Sequence, residues 1–200
     1  DTTVGPANIA SVFPVDEEGV VRVYTTIQAA SNAAAASRGD VIMVLPGYDH
    51  TLSRADSWTT AGVHVIGLGE GQNRATLRFG AVTDAVNVGA NYVHIDGLRF
   101  LADADSVTLG LDLDTGFGGA HIENCVFDWD SNAQNFVTML RSGQDNTVIE
   151  NNMFRAEDTA GDQVGVLLRA GFYPTVRNNF FYCQFDSVGS AAATAAGAIA

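Results

Sequence analysis

A block of chemistry recurs at a fixed interval through the middle of this chain of 200 residues. Ile95-Asp96-Gly97-Leu98-Arg99-Phe100 is followed by Ile122-Glu123-Asn124-Cys125-Val126-Phe127, then Ile149-Glu150-Asn151-Asn152-Met153-Phe154, then Val176-Arg177-Asn178-Asn179-Phe180-Phe181. Each block starts 27 residues after the one before it. An interval held three times over marks one supersecondary unit stacked on itself, which excludes most folds at once.

The same spacing extends upstream. Val86, Leu113, Leu140 and Leu167 form an aliphatic column, and Gly89, Gly116, Gly143 and Ala170 a small-residue column. In a coil of strands that climbs one strand spacing per turn, about 4.8 Å, residue i lies beneath residue i+27. Phe100, Phe127, Phe154 and Phe181 then become a continuous interior rib. Gly97, Asn124, Asn151 and Asn178 occupy a corner that needs left-handed backbone, which Gly and Asn adopt at least cost. The asparagine amides are further expected to chain from coil to coil as a buried ladder. Alternation puts Ile95 inside and His94 and Asp96 outside. A stack of helix pairs shares this period, but the repeats are short alternating runs rich in Gly, Asn, Val and Phe. The expected fold is therefore all-β: a right-handed parallel β-helix of 27-residue coils.

Residues 1–24 read as an extended arm and residues 25–200 as the β-helix domain. Thr25 and Gln28 have capping-box spacing, and the Ala-rich stretch Ile27 to Ala36 is helix-prone, so a short helix is expected to cap the N-terminal end. Ala191 to Ala200 offers no second cap, so the stack is expected to continue onto a partner or into a longer natural chain. Cys125 and Cys183 fall two coils apart, about 9.6 Å, too far for a disulfide, and both are expected to be free thiols.

Charge narrows the functional classes. There are 23 acids against 10 bases, every base is an Arg, and the arginines are scattered singly. Such a surface does not track nucleic-acid phosphates. No apolar run reaches the roughly 18 residues of a membrane span. Without lysine there is no Schiff-base or P-loop chemistry. No CxxC, HExxH or EF-hand spacing is present, so no metal motif and no cofactor are expected.

The candidate binding feature is an outward ladder of Asp96, Glu123 and Glu150, ending in Arg177, with His94 and His121 stacked beside it. Stacked acids repel by roughly 1 kcal/mol per neighbouring pair even in water. The cluster suits a cation or an Arg of a neighbouring subunit, against the plainer reading of a solvated acidic face. His50 and His64 have no evident partner. Asp112 and Asp114 flank inward Leu113, about 7 Å apart, in the range of an inverting carboxylate pair. Arg141 follows Asp114 by 27 residues and is expected beneath it, favouring its charged form and disfavouring a general acid. Asp103/Asp105 and Asp128/Asp130 read as loop acids, and Gln144 to Thr147 as a corner before a strand. Trp58 and Trp129 are expected to pack internally, with sugar stacking as the alternative. No catalytic residue is assigned.

Thr26-Ile27-Gln28-Ala29-Ala30 and Arg38-Gly39-Asp40-Val41-Ile42-Met43-Val44-Leu45-Pro46-Gly47-Tyr48 resemble the entry segment of the pectin-lyase-like β-helix superfamily. The stretch Val65 to Gly80, with Gly67-Leu68-Gly69-Glu70-Gly71 inside it, is similar to β-helix proteins encoded near capsid genes of tailed bacteriophages, many of them marine. The resemblance implies a non-enzymatic virion structural protein, a capsid decoration or head-fibre component on the particle surface. It also implies a capsid or other virion protein as partner and a homo-oligomer, most often a trimer. Enzymes of the same superfamily cleave polysaccharide, with Ca²⁺ held by acids in the lyases and paired carboxylates in the hydrolases. A tailspike-like glycan-binding or glycan-cleaving protein is the alternative.

Overall fold

The computed structural model describes residues 22–131, 134–156, 163–169 and 171–182. One helix, α1 (Ile27–Ala33), precedes a run of short strands. The coils are β1 (Val41–Val44), β2 (Asp49–Leu52), β3 (Asp56–Trp58); β4 (His64–Gly67), β5 (Thr76–Phe79), β6 (Val86–Val88); and β7 (His94–Asp96), β8 (Arg99–Ala102), β9 (Val107–Leu113). They continue with β10 (His121–Glu123), β11 (Val126–Trp129), β12 (Phe136–Ser142); and β13 (Val148–Glu150), β14 (Met153–Arg155), β15 (Val164–Leu168). A sixth turn begins with β16 (Thr175–Arg177) and β17 (Phe180–Tyr182). The first strands of all coils form one parallel sheet, the second strands another and the third strands another. The chain is a parallel β-solenoid.

Its core is the space enclosed by the three sheets. Val65, Ile95, Ile122 and Ile149 stack from the first sheet. From the second sheet come Phe100, Phe127, Phe154 and Phe181, with ring centroids 4.7, 4.9 and 5.0 Å apart and planes within 12°. Isolated aromatic pairs prefer offset or edge-on geometry. Here the strand spacing imposes the parallel stack, and the rings fill a fully buried column from Phe100 to Phe154. Phe79 closes its upper end edge-on to Phe136, at 5.1 Å and 80°.

The 27-residue step holds on two sheets from the third coil onward, as in His94 with His121 with Val148 and Phe100 with Phe127 with Phe154. It does not hold on the third sheet. There Val86 pairs with Leu111, Leu111 with Leu140, and Leu140 with Val166. The expected columns Val86/Leu113/Leu140/Leu167 and Gly89/Gly116/Gly143 are thus corrected. Leu113 stands between Val88 and Ser142, and Leu167 pairs with outward Arg141. Unequal corners are the cause. The segment from Trp129 to Phe136 is longer than that from Ala102 to Val107, while Ser142 to Val148 is shorter than Leu113 to His121. The two differences cancel over a full turn, so the period survives on either side of a sheet that does not obey it.

The asparagine corner splits in the same way. Gly97, Asn124, Asn151 and Asn178 all have left-handed φ, between 53° and 73°. The three asparagine side chains are solvent-exposed, however, and the buried amide ladder lies one residue further on. Asn152 Oδ1 accepts from Cys125 N at 2.9 Å, and its Nδ2 donates to Ile122 O at 3.0 Å. Asn179 Oδ1 accepts from Asn152 N at 2.9 Å, and its Nδ2 donates to Ile149 O at 2.8 Å. The first asparagine turns the chain; the second satisfies the backbone groups that the turn would orphan inside.

At the N-terminal end Thr26 caps α1, its Oγ1 accepting from Ala29 N at 3.1 Å. The expected capping box does not form, because Thr26 rather than Thr25 is the cap and Gln28 reaches out to Ser57 O instead. Ile27 enters the core cluster, and the helix ends at Ala33, three residues short of the expected end, with Ala34 already in extended backbone. Cys125 is a buried free thiol. Residues 1–21 of the arm, Ala170, Cys183 and the Ala191 to Ala200 stretch lie outside the described residues.

Candidate functional site

The outer face of the first sheet carries the histidine–acid ladder, and the strand register builds it. His64, His94 and His121 occupy one column. Asp96, Glu123, Glu150 and Arg177 occupy the next outward column, two residues along each strand. The imidazoles stack face to face: His64 on His94 at 3.9 Å and 5°, His94 on His121 at 4.5 Å and 3°.

His94 and His121 each reach diagonally to the acid of the following coil. His94 Nε2 lies 2.7 Å from Glu123 Oε1, and His121 Nε2 lies 2.9 Å from Glu150 Oε1. A carboxylate only accepts, so these nitrogens carry the protons. Glu150 is then closed from the other side by Arg177, whose Nε donates to Oε2 at 2.6 Å. The Arg177 bond, and after it the His121 bond, hold the Glu150 carboxyl below its ordinary value. Asp96 is one methylene shorter than the glutamates. Its Oδ1 accepts from Asn124 Nδ2 at 2.9 Å, and His64 Nε2 is left buried without a hydrogen-bond partner. Burial, and next the His94 ring, push His64 below the usual imidazole range. His64 joins the column through a 30-residue step to His94, which a search at the 27-residue period cannot find.

Between these closed ends sits Glu123. Its carboxylate contacts His94 at 2.7 Å and His121 at 4.0 Å, and no arginine ion pair reaches it among the described residues. His94, His121 and Glu123 present one donor atom each, all within 4.8 Å of one another. This is the group of side chains able to hold a metal ion that the register assembles from residues with no motif spacing.

The other acids are engaged differently. Arg141 pairs in register with Asp112 and grips it with both guanidinium edges, Nε on Oδ1 at 2.8 Å and the second nitrogen on Oδ2. The expected placement of Arg141 under Asp114 is therefore corrected, because the local step on this sheet is 29 residues. Burial, then the adjacent Asp112 charge, pushes the Asp114 carboxyl above its ordinary value, against a weaker pull from Arg141. Contrary to expectation, Arg141 therefore does not hold Asp114 in its charged form against burial and the Asp112 charge.

Asp128 is also no loop acid. It lies on β11, buried, between Arg99 at 2.7 Å and Arg155 at 3.1 Å. Asp103 and Asp130 gather around Arg78 together with Asp49. Trp58 is buried in the core. Trp129 packs against the core with Arg155 over its ring at 5.0 Å, so neither indole offers a free stacking face beside Asp112. Gln144 to Thr147 forms the expected corner, with Asn146 in left-handed backbone and Gln144 Nε2 donating to Val88 O at 2.9 Å. Among the described residues no helix is long and apolar enough to cross a membrane.

No protein-family model matches this sequence, and searches of curated proteins and of solved structures return no match.

Proposed function

We propose that the chain is a non-catalytic structural protein of a phage virion, a capsid decoration or head-fibre component that docks on a capsid or other virion protein. The observation that carries the reading is the resemblance of Val65 to Gly80 to β-helix proteins encoded beside phage capsid genes. The side-chain chemistry supports it. Several outward acids are tied to an arginine of a neighbouring coil: Asp112 to Arg141, Asp128 to Arg99 and Arg155, Glu150 to Arg177. The carboxylates held in this way are engaged by their arginines rather than free for acid–base work. A trimeric assembly is part of the proposal. Imaging of purified particles with a labelled copy of the protein tests it: label over the capsid surface supports the reading, and particles lacking the protein overturn it.

One observation favours a second reading, a polysaccharide-cleaving β-helix. Asp112 and Asp114 stand two residues apart with opposite environments, the first gripped by arginine and the second pushed toward its protonated form. Divergent environments for neighbouring carboxyls are how an acid and a base are set apart. Release of reducing ends or unsaturated product from acidic polysaccharides, abolished by Asp114→Asn, would establish this reading in place of the first.

A further inference from the structure

We infer that the outer face of the first sheet binds one borderline divalent transition-metal ion, of the Zn²⁺ class, through His94 Nε2, His121 Nε2 and the Glu123 carboxylate. Two imidazoles and one carboxylate form a donor set of intermediate softness, which suits Zn²⁺ and its neighbours rather than Ca²⁺ or Mg²⁺. The two histidines come from successive coils and the glutamate from the same strand as His121, so the parallel register holds the three donors on one patch of wall.

The three donor atoms already lie within 4.8 Å of one another. Tetrahedral bonds of about 2.0–2.1 Å separate neighbouring donor atoms by about 3.3 Å. His94 Nε2 and Glu123 Oε1 stand at 2.7 Å, and His121 Nε2 and Glu123 Oε2 at 4.0 Å. These two contacts use different oxygens, so the Glu123 carboxylate turns to present one of them to an ion lying between the imidazoles. Both rings and the carboxylate retain between 22% and 31% of their side-chain exposure, which leaves the parallel imidazoles, stacked at 4.5 Å, room to tilt toward a common ion. The ion replaces the Nε2 protons of His94 and His121, which pass through solvent to Nδ1 so that each ring ligates as its other tautomer, and His121 turns from Glu150 toward the ion.

The neighbouring residues define which groups ligate. Arg177 retains Glu150 and Asn124 retains Asp96. Among the described residues, Glu123 has ion-pair contacts to histidines and none to an arginine, whereas Glu150 has both. With three protein donors the fourth position faces solvent, open to water or to a donor from a partner. The site stands apart from the virion reading and from Asp112/Asp114, so it can fail or hold independently of either.

The test uses the metal-free full chain titrated with Zn²⁺ by calorimetry, and with Co²⁺ by its ligand-field absorption. The inference expects one ion per chain, an intense four-coordinate Co²⁺ spectrum reversed by Zn²⁺, and no competition from excess Ca²⁺. His121→Ala and Glu123→Gln should each weaken Zn²⁺ binding at least about tenfold, the loss typical even of groups that only orient a ligand. His50→Ala, on another sheet, should change nothing. Because the ligands face outward, thermal melting will show that the variants remain folded. Zn²⁺ binding of unchanged affinity in a His94→Ala/His121→Ala double variant, or no saturable binding by the parent chain, overturns the inference.

Discussion

The second and third sheets of this solenoid have the same inward task and accomplish it differently. On the second sheet Phe100, Phe127, Phe154 and Phe181 stack at constant sequence spacing, ring on ring. On the third, Val86, Leu111, Leu140 and Val166 fill the core equally well through steps that differ at every coil. The difference teaches where a repeat resides. The period is a property of a whole turn, and a sheet shows it only when the corners on both sides of it keep their length. Outside the barrel the consequence is chemical. The regular first sheet stacks like on like, acids over acids and imidazoles over imidazoles. The irregular third sheet brings unlike residues together, Asp112 against Arg141.

The largest expected effect tests the regular side. Phe127→Ala removes the middle ring of a buried column and should destabilise by roughly 3–5 kcal/mol, because its strand-locked neighbours cannot collapse into the gap. Chemical denaturation measures it. A loss below about 1 kcal/mol would mean that the column is loosely packed and that the rings are not the core of the second sheet.

Next comes the corner between the first two sheets. Asn152→Leu leaves Cys125 N and Ile122 O without their buried partners and should destabilise by roughly 1–3 kcal/mol per orphaned group. Asn151→Gly, one residue earlier, keeps the left-handed turn and loses no buried bond, so it should stay within about 0.5 kcal/mol of the parent. Equal effects at the two positions would erase the division between turning and satisfying residues. Cys125 provides an internal probe of the same corner. Burial raises its thiol to about 12, so in a Cys183→Ala background thiol reagents should label it only as fast as the chain opens.

These cases also show what is readable in the sequence and what is not. The isoleucine, phenylalanine and left-handed asparagine columns are visible because they lie where the step is constant. The acid ladder and its two histidines are visible for the same reason. His64 is hidden by a longer coil, and the Asp112–Arg141 pair by a compensated insertion. The asparagine ladder was displaced by one residue because Asn-Asn offers the same residue type for two tasks. Backbone handedness requires the first, while burial falls on the second, and period alone cannot separate them. The metal-competent trio has no linear signature, since its donors meet only after two coils are stacked.

A smaller effect is expected at the ladder, as a dependence on pH. The Glu150 carboxyl is held low by Arg177 and His121, so its contribution to stability is present above the unfolded-state value near 4.5. It is lost as pH falls through the lower folded value. Glu150→Gln should therefore lower the melting temperature at neutral pH and flatten its decline in acid. A variant whose melting curve tracks the parent at every pH would place Glu150 in free solvent.

The smallest effect belongs to the irregular sheet and has the opposite sign. Burial and the Asp112 charge raise Asp114 above the ordinary carboxylate value of 3.8. A raised carboxyl binds its proton more tightly folded than unfolded. Its penalty is absent below 3.8 and fully present once pH exceeds the folded value. Asp114→Asn removes the charge while keeping the shape, so the variant should melt slightly above the parent at pH 7, and the gap should close as the pH falls to 3. The comparison with Glu150→Gln is the point of the measurement. The two amide substitutions act on one kind of side chain, yet loss of the carboxyl stacked on an arginine should lower stability and loss of the carboxyl beside another acid should raise it. Scanning calorimetry across that pH range reads both. A neutral-pH loss in Asp114→Asn would mean that Arg141 serves Asp114 as well as Asp112. The two carboxyls would then share one environment, which removes the basis for assigning them the separate acid and base roles of a polysaccharide-cleaving site.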